Sequence, residues 1–545
     1  MRITNSMIMT NADSNINGVK IILDKTNTQM TTQKKIDRPS EDPVIAVRSL
    51  RFSTSLAKIN QFYEKNIPDA ESWLEVTETS LVNMRDTVRN IHTLSNQGAN
   101  DTLTQDDRKT ILSQLKKLQE QLYDSGNSDY AGRTVFTGYR TNKTLTFMSD
   151  EAKTSYDITE KHNANDALET YRYYSGDVKA PSTKADINST TNTPSTYVET
   201  EFSRMRLGYD EISFKDTTST ATPTPLIANK GTLAIGKVET PTKGNIYFTQ
   251  KQADGTVKDY ATPPTAVTVY DDEKSWEDAS TSTPKVKEIK DGEMVFIKST
   301  GELLMNDDLS AKLKADNVDI RTDYSKTGFE DGELRPEYYY DSVMTSDKGT
   351  ATNIEYQKYD TIGKEIKYDI NYTVAANQEL SVNLEASDIF DSSLIQDMKD
   401  MISSVSDAIA AYDKVDKLKG MKTEVQFQDP ATQANLDKWI SSASREMDFA
   451  NSNLQKIFNK EIGRSKTYED KLSLSLTDLG CRADQLSMTK KQMSDQQETI
   501  EDLQSKNDDY DLSEVALKYT AAYTAYKSSL TAAGKLGDMT LLNYL

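Results

Sequence analysis

Cys481, His92 and His162 are the side chains best suited by type to hold a soft metal or to act as nucleophile and base. Zinc and iron sites usually take three or four such ligands, so one cysteine and two histidines are too few. Neither an HExxH nor a CxxC pattern occurs. With one cysteine there is no internal disulfide. Cys481 lies near an apolar helical seam and is expected to be a buried, inert thiol. The histidines are expected to be solvated or half-buried. Carboxylates abound in the middle of the chain, yet no spacing marks a pair for general acid–base work. The expectation is a protein without a catalytic, cofactor-binding or metal site.

Composition points the same way. The 545 residues correspond to three or four domains at about 150 residues each. Acidic residues number 85 and basic ones 65, a net charge of −20. Nucleic acids and anionic membrane surfaces need clustered Lys and Arg, so neither is expected as a partner. Hydrophobic residues make up 36%. With glycine added the apolar share stays below the roughly 45–50% usual for globular domains. An elongated helical molecule fits that better than a large compact enzyme. No stretch of about 18 apolar residues is present to span a membrane. The segment from Met1 to Asn17 is polar and has no signal-peptide h-region.

The elements that would position any site are helical at both ends. Asp42 followed by Pro43 predicts a helix start, a capping side chain and then Pro at the first helical position. Leu74, Thr77, Leu81, Met84, Val88, Ile91 and Ser95 step by three and four, a heptad seam. Pro68 predicts a kink or break, and Gly98 to Asp101 an interruption. Thr104 with Asp107 resembles a capping box, ahead of a helix with Ile111, Leu115, Leu118 and Leu122 on one face. Near the C-terminus Leu436, Ile440, Ala443, Met447, Ala450, Leu454 and Ile457 form a seam, and Leu472, Leu476, Leu479, Ala483 and Leu486 another. No Pro follows Pro430, so residues 432–505 are expected as nearly continuous helix, antiparallel to the N-terminal helices.

The middle changes character. Ile366, Tyr368, Ile370, Tyr372 and Val374 alternate as in a half-buried strand, and Asn245 to Thr249 and Met294 to Lys298 also read as strands. Thr217 to Pro225 reads as a loop or linker. An inserted β domain, in one or two parts, is expected. At the extreme ends Ile3, Met7, Ile16, Val19, Leu23 and Met30, and Tyr519, Tyr523, Tyr526, Leu530 and Ala533, are apolar positions in segments too weak to stand alone. Each would gain order by packing on the other or on a neighbouring molecule. Asp508-Asp509 reads as a solvated charge run. Leu541, Leu542, Tyr544 and Leu545 form an apolar cluster suited to an intersubunit contact.

Several local patterns occur in a telling order. Lys35-Ile36-Asp37-Arg38-Pro39-Ser40-Glu41-Asp42-Pro43-Val44 is similar to a K-R-I-x-R-P-S-D-D-P-V signature. Gly132-Arg133-Thr134-Val135-Phe136-Thr137-Gly138 is similar to G-R-Y-L-F-G-G, Ile389-Phe390-Asp391 fits ahead of the C-terminal helices, and Leu541 to Leu545 matches an L-F-D-Y-L ending. Tyr173-Tyr174-Ser175-Gly176-Asp177 is a weaker match in the middle. On these motifs the chain resembles the bacterial flagellin family, and within it the hook–filament junction members. The resemblance covers about residues 1–140 and 385–545.

The resemblance implies an α+β protein: an elongated antiparallel helical bundle or coiled coil from the N- and C-terminal segments, with an inserted mainly-β domain at its distal end. Segments 1–40 and 506–545 would form an assembly domain, 41–140 (with a β-hairpin) and 386–505 the bundle, and 141–385 the variable insert. It implies a structural adaptor in the extracellular flagellum, with a filament-forming flagellin as the alternative. Its partners would be the first hook–filament junction protein, flagellin, further copies of itself in a ring, and a cytosolic secretion chaperone. Export would run through the flagellar type III apparatus. Arg38, Pro39, Asp42 and Pro43 would serve the linker and helix start, Gly132 and Gly138 a turn and hairpin, and Phe136 the core or a contact between subunits, the core being favoured.

Overall fold

The structure is a computed structural model that describes residues 5–538, apart from 101–102, 177–178, 190–192, 195–196, 218–224, 228–229, 240–241, 253–254, 283–284, 346–352, 361–362 and 390–391. The terminal cluster Leu541, Leu542, Tyr544 and Leu545 lies outside the described residues, as do Ile3, Asp177, most of Thr217 to Pro225, and Phe390 and Asp391. Seven long helices are present among the described residues: α1 (Asn5–Thr32), α2 (Pro43–Gln61), α3 (Ile67–Gly98), α4 (Gln105–Gly126), α5 (Ser392–Thr423), α6 (Pro430–Asp508) and α7 (Leu512–Asp538). Strands and short helices fill the region between α4 and α5. The helical N- and C-terminal segments with a mixed β region inserted between them make this an α+β chain.

The chain divides into two compact units. The first holds residues 1–72, 371–381 and 481–545. Asp42 caps α2, its carboxylate accepting from the Val44 and Ile45 N–H groups, and Pro43 occupies the first helical position. Between α2 and α3 the helix widens into a π turn, Phe62–Asn66, in which the Ile67 N–H donates to the Phe62 carbonyl. That turn stands just ahead of Pro68, which has no N–H of its own to give. Ser53 pairs with Gln504, Asn60 with Gln497 and Glu71 with Lys490, so α2 and the start of α3 run antiparallel to α6. A two-stranded hairpin, Asn371–Ala375 with Gln378–Ser381, packs here. Tyr372 donates to Asp69, and Arg482 donates to the Ser381 carbonyl.

That hairpin corrects the strand expected from Ile366 to Val374. Only residues from Asn371 onward pair, and Tyr368 is exposed. The alternating pattern is present, but among the described residues Ile366 to Ile370 has no partner strand to supply a ladder: the Ile366 N–H donates to the Lys358 carbonyl, the Val382 N–H to the Ile370 carbonyl, and the Ile370 N–H to the Asn383 side chain.

The second unit holds residues 73–370 and 382–480. Leu74, Thr77, Leu81, Met84, Val88, Ile91 and Ser95 are all buried, as the seam requires. The Thr104–Asp107 capping box forms and starts α4, which packs on α5. Val415, Leu418, Leu436, Trp439 and Ala443 close the hairpin of α5 and α6. The insert contains a 6-stranded and a 7-stranded sheet. The first runs in the order Glu169–Ser175, Val198–Arg206, Glu302–Met305, Glu293–Ile297, Ala266–Tyr270, Lys230–Thr232, antiparallel except where Ala266–Tyr270 meets Glu293–Ile297. Tyr173, Phe202, Trp276, Val295 and Leu304 form its core. The second is centred on the long antiparallel pair Glu151–Asn163 and Val318–Phe329.

Candidate assembly surface and a buried charge network

In the first unit α1 and α7 pack against each other and bury little. Ile16, Val19, Leu23 and Met30 of α1 are half-buried, and Thr26 is the buried residue among them. On α7 the packed stripe is Val515, Tyr519, Ala522, Tyr526 and Ala533. Tyr523 and Leu530, which the spacing had put on the same face, point outward instead. Ala522 takes the seam because its small side chain lets the helices approach. Ile21 at 70% and Leu517 at 73% exposure, with Met7, Ile22 and Leu512, leave apolar surface facing solvent.

The crossings between helices are zipped together. The Lys35 N–H donates to the Asp508 carbonyl and the Tyr510 N–H to the Gln33 carbonyl, both at 2.8 Å. Ser49 donates to the Asp508 carboxylate at 2.7 Å. Asp508-Asp509 is therefore a partnered joint and not a solvated run. It falls at the end of α6, where the chain must turn beside the α1–α2 linker. Arg38, 80% exposed, and Pro39 form one wall of a pocket of about 550 Å³, with Val47, Leu50 and Ser53 opposite.

Gly132 and Gly138 both sit at positive φ, +77° and +60°. Gly132 closes the hairpin Asp129–Tyr130 with Arg133–Thr134, and Arg133 stacks on Trp73 of α3. Phe136 is buried. Cys481 is exposed, which corrects the buried reading. It follows the buried Leu479 by two positions, about 200° round the helix, and so faces away from the seam. His92 and His162 are half-buried, His162 beside Glu160. Among the described residues no group of three or more His, Cys, Asp or Glu is placed to hold a metal.

Sequence reasoning missed a buried charge network in the second unit. Arg204, 2% exposed, donates to Glu169 at 2.8 Å, to Glu302 at 2.6 Å and to Asp400. Its guanidinium lies 3.6 Å from the centre of the Tyr171 ring. Arg206 donates to Asp397 at 2.6 Å and lies 2.8 Å from Asp400. From α6, Arg464 reaches Glu169 at 2.7 Å and also Asp397, and Lys460 reaches Glu169. Burial alone would raise the Glu169 carboxyl, but Arg204, Arg206, Lys460 and Arg464 outweigh it and hold the group well below the usual carboxylate range. Asp400 is lowered in the same way, burial being overcome by Arg206 and Arg204. The network ties strands Glu169–Ser175, Val198–Arg206 and Glu302–Met305 to α5 and α6. Its members span the chain from 169 to 464 with no local spacing, so only the fold brings them together.

The sequence model of the bacterial flagellin N-terminal helical region matches residues 3–141. The N-terminal helical segment is thus similar to that region of bacterial flagellins. The chain is also similar to flagellar hook-associated protein 3. It is 29% identical over 130 residues to that protein of Escherichia coli (strain K12), covering 24% of this chain and 40% of the relative. It is 29% identical over 142 residues to that of Salmonella typhimurium (strain LT2), covering 26% and 44%. The matched segments thus span less than half the length of these relatives. A flagellar hook associated protein-3 structure from Legionella pneumophila aligns over 84% of this chain and 97% of that one, at 12% identity and a TM-score of 0.26. A superposition that loose defines no shared fold.

Proposed function

We propose that the chain is a structural adaptor of the bacterial flagellum and performs no chemistry. It joins the hook, through the first junction protein, to the flagellin filament. The carrying observation is the 29% identity, over 130 and 142 residues, to two flagellar hook-associated protein 3 chains. The thinly packed α1–α7 pair supports the reading, because its exposed apolar side chains are suited to cover by neighbouring subunits in a ring. Segments 1–40 and 506–545 form the assembly part, 41–140 and 386–505 the bundle, and 141–385 the outward insert. Arg38, Pro39, Asp42 and Pro43 set the angle between the first two, while Gly132, Phe136 and Gly138 shape the bundle's hairpin. Export through the flagellar type III apparatus, with a cytosolic chaperone, delivers the chain to an extracellular site.

The flagellin model that matches residues 3–141 also favours a second reading, the filament's bulk subunit. Gene deletion followed by electron microscopy and a motility assay separates the two. Hooks without filaments, with flagellin shed into the medium, support the adaptor. Persisting filaments, or the loss of one filament type while another remains, overturn it.

A further inference from the structure

The cations of the buried network are Arg204, Arg206, Lys460 and Arg464. They bind Glu169, Glu302, Asp397 and Asp400 by direct contacts. A fifth carboxyl, Glu461 on α6, stands among the same groups and is 2% exposed. Its Oε1 is buried and has no hydrogen-bond partner among the described residues. The groups acting on it are Asp397 from α5, Arg206 from strand Val198–Arg206, and Lys460 and Arg464 from its own helix. Those cations are engaged elsewhere. Asp397, which faces Glu461, is saturated by Arg206, Arg464 and the Tyr468 hydroxyl at 2.7 Å. An ionised Glu461 would be a fifth anion against four cations, buried beside a carboxylate and without a donor for Oε1.

We propose that Glu461 carries one exchangeable proton within this network, and that its loss in alkaline solution loosens the seat of α6 against α5 and the six-stranded sheet. The second unit thereby contains a proton-sensitive latch. Burial first, and the Asp397 charge second, push the Glu461 carboxyl up to about 8. The unfolded chain has an ordinary glutamate near 4.3. Since the folded value is the higher, the stabilisation is complete below the unfolded value and is lost as pH rises through the folded one.

Denaturant unfolding of the full chain and of Glu461→Gln between pH 5 and 9 tests the latch. The amide mimics the neutral acid and cannot ionise. The unfolding constant of the wild type, divided by that of the variant, should grow by up to about tenfold per pH unit from about 5 to 8 and then level. A ratio independent of pH overturns the proposal. If the variant does not fold, carbon-13 titration of the Glu461 carboxyl in the wild-type chain decides. A midpoint near 8 supports the latch, and one in the ordinary glutamate range refutes it.

Discussion

Lys34 Nζ lies 2.5 Å from Asp509 Oδ1, at the point where the α1–α2 linker runs beside the α6–α7 joint. The two residues also face each other as an antiparallel bridge, with the Lys35–Asp508 and Gln33–Tyr510 backbone bonds on either side. Hydrogen bonds from Lys34 and Ser505 hold the Asp509 carboxyl below its usual range. A depressed folded value stabilises above the unfolded one and is lost as pH falls. Both side chains are more than a third exposed, so solvent screens most of the effect. Asp509→Ala is expected to lower global stability by less than about 1 kcal/mol. It should nevertheless speed amide exchange at Lys35 and Tyr510, because the bridge is what holds those donors. Unchanged exchange at both would show that the backbone bonds need no side-chain support.

The Arg204 network predicts the opposite balance. Arg204→Ala leaves Glu302 and Asp400 buried and short of a donor, and should cost about 3–5 kcal/mol by denaturant unfolding. Acid should weaken the same seat. Glu169 and Asp400 have depressed folded values, so their contribution is present above about pH 4 and fades as pH falls below it. Arg204→Ala should therefore flatten the acid limb of the stability curve as well as lower its top.

Local rules account for what the sequence made legible. Asp42-Pro43 and the Thr104–Asp107 box are caps, decided by residues within a turn of one another. The seam from Leu74 to Ser95 is periodic over several turns, and every member is buried. What escaped depends on distant partners. Tyr368 alternates correctly but meets no strand, and Tyr523 lost its seam position to Ala522 because close helix approach favours the smaller residue. Asp508-Asp509 looked like a solvated run because its partners Ser49 and Lys34 lie more than 450 residues away. Glu169 and Arg464, likewise, are paired only by the fold.

Gly98 ends α3 against Phe458 of α6. A Cβ placed there would lie 2.6 Å from the Phe458 ring, which is fully buried. The backbone at Gly98 is not left-handed, so the constraint is one of room alone. Gly98→Ala is expected to destabilise the protein by about 1–3 kcal/mol through overpacking. Phe458→Leu in the same chain should recover part of that loss, since it removes the ring atoms that clash. Two independent, additive losses would instead mean that the residues are not in contact.

The shallow packing of α1 on α7 sets their dynamics. Among the described residues these helices of 28 and 27 residues bury only Thr26, Val515 and Ala522, so they have little apolar area to offset the entropy of holding them straight. By contrast, α4 and α5 bury Ile111, Leu115, Leu122, Met398, Met401 and Val405. Local opening follows buried contacts, so amides in α1 and α7 of the isolated chain should exchange far faster than those in α4 and α5. Adding assembled partner subunits should slow exchange in α1 and α7 selectively, because cover on Ile21 and Leu517 supplies the missing burial. Strong protection of both helices in the isolated chain would mean that the pair is self-sufficient, and its exposed apolar face would then need another explanation.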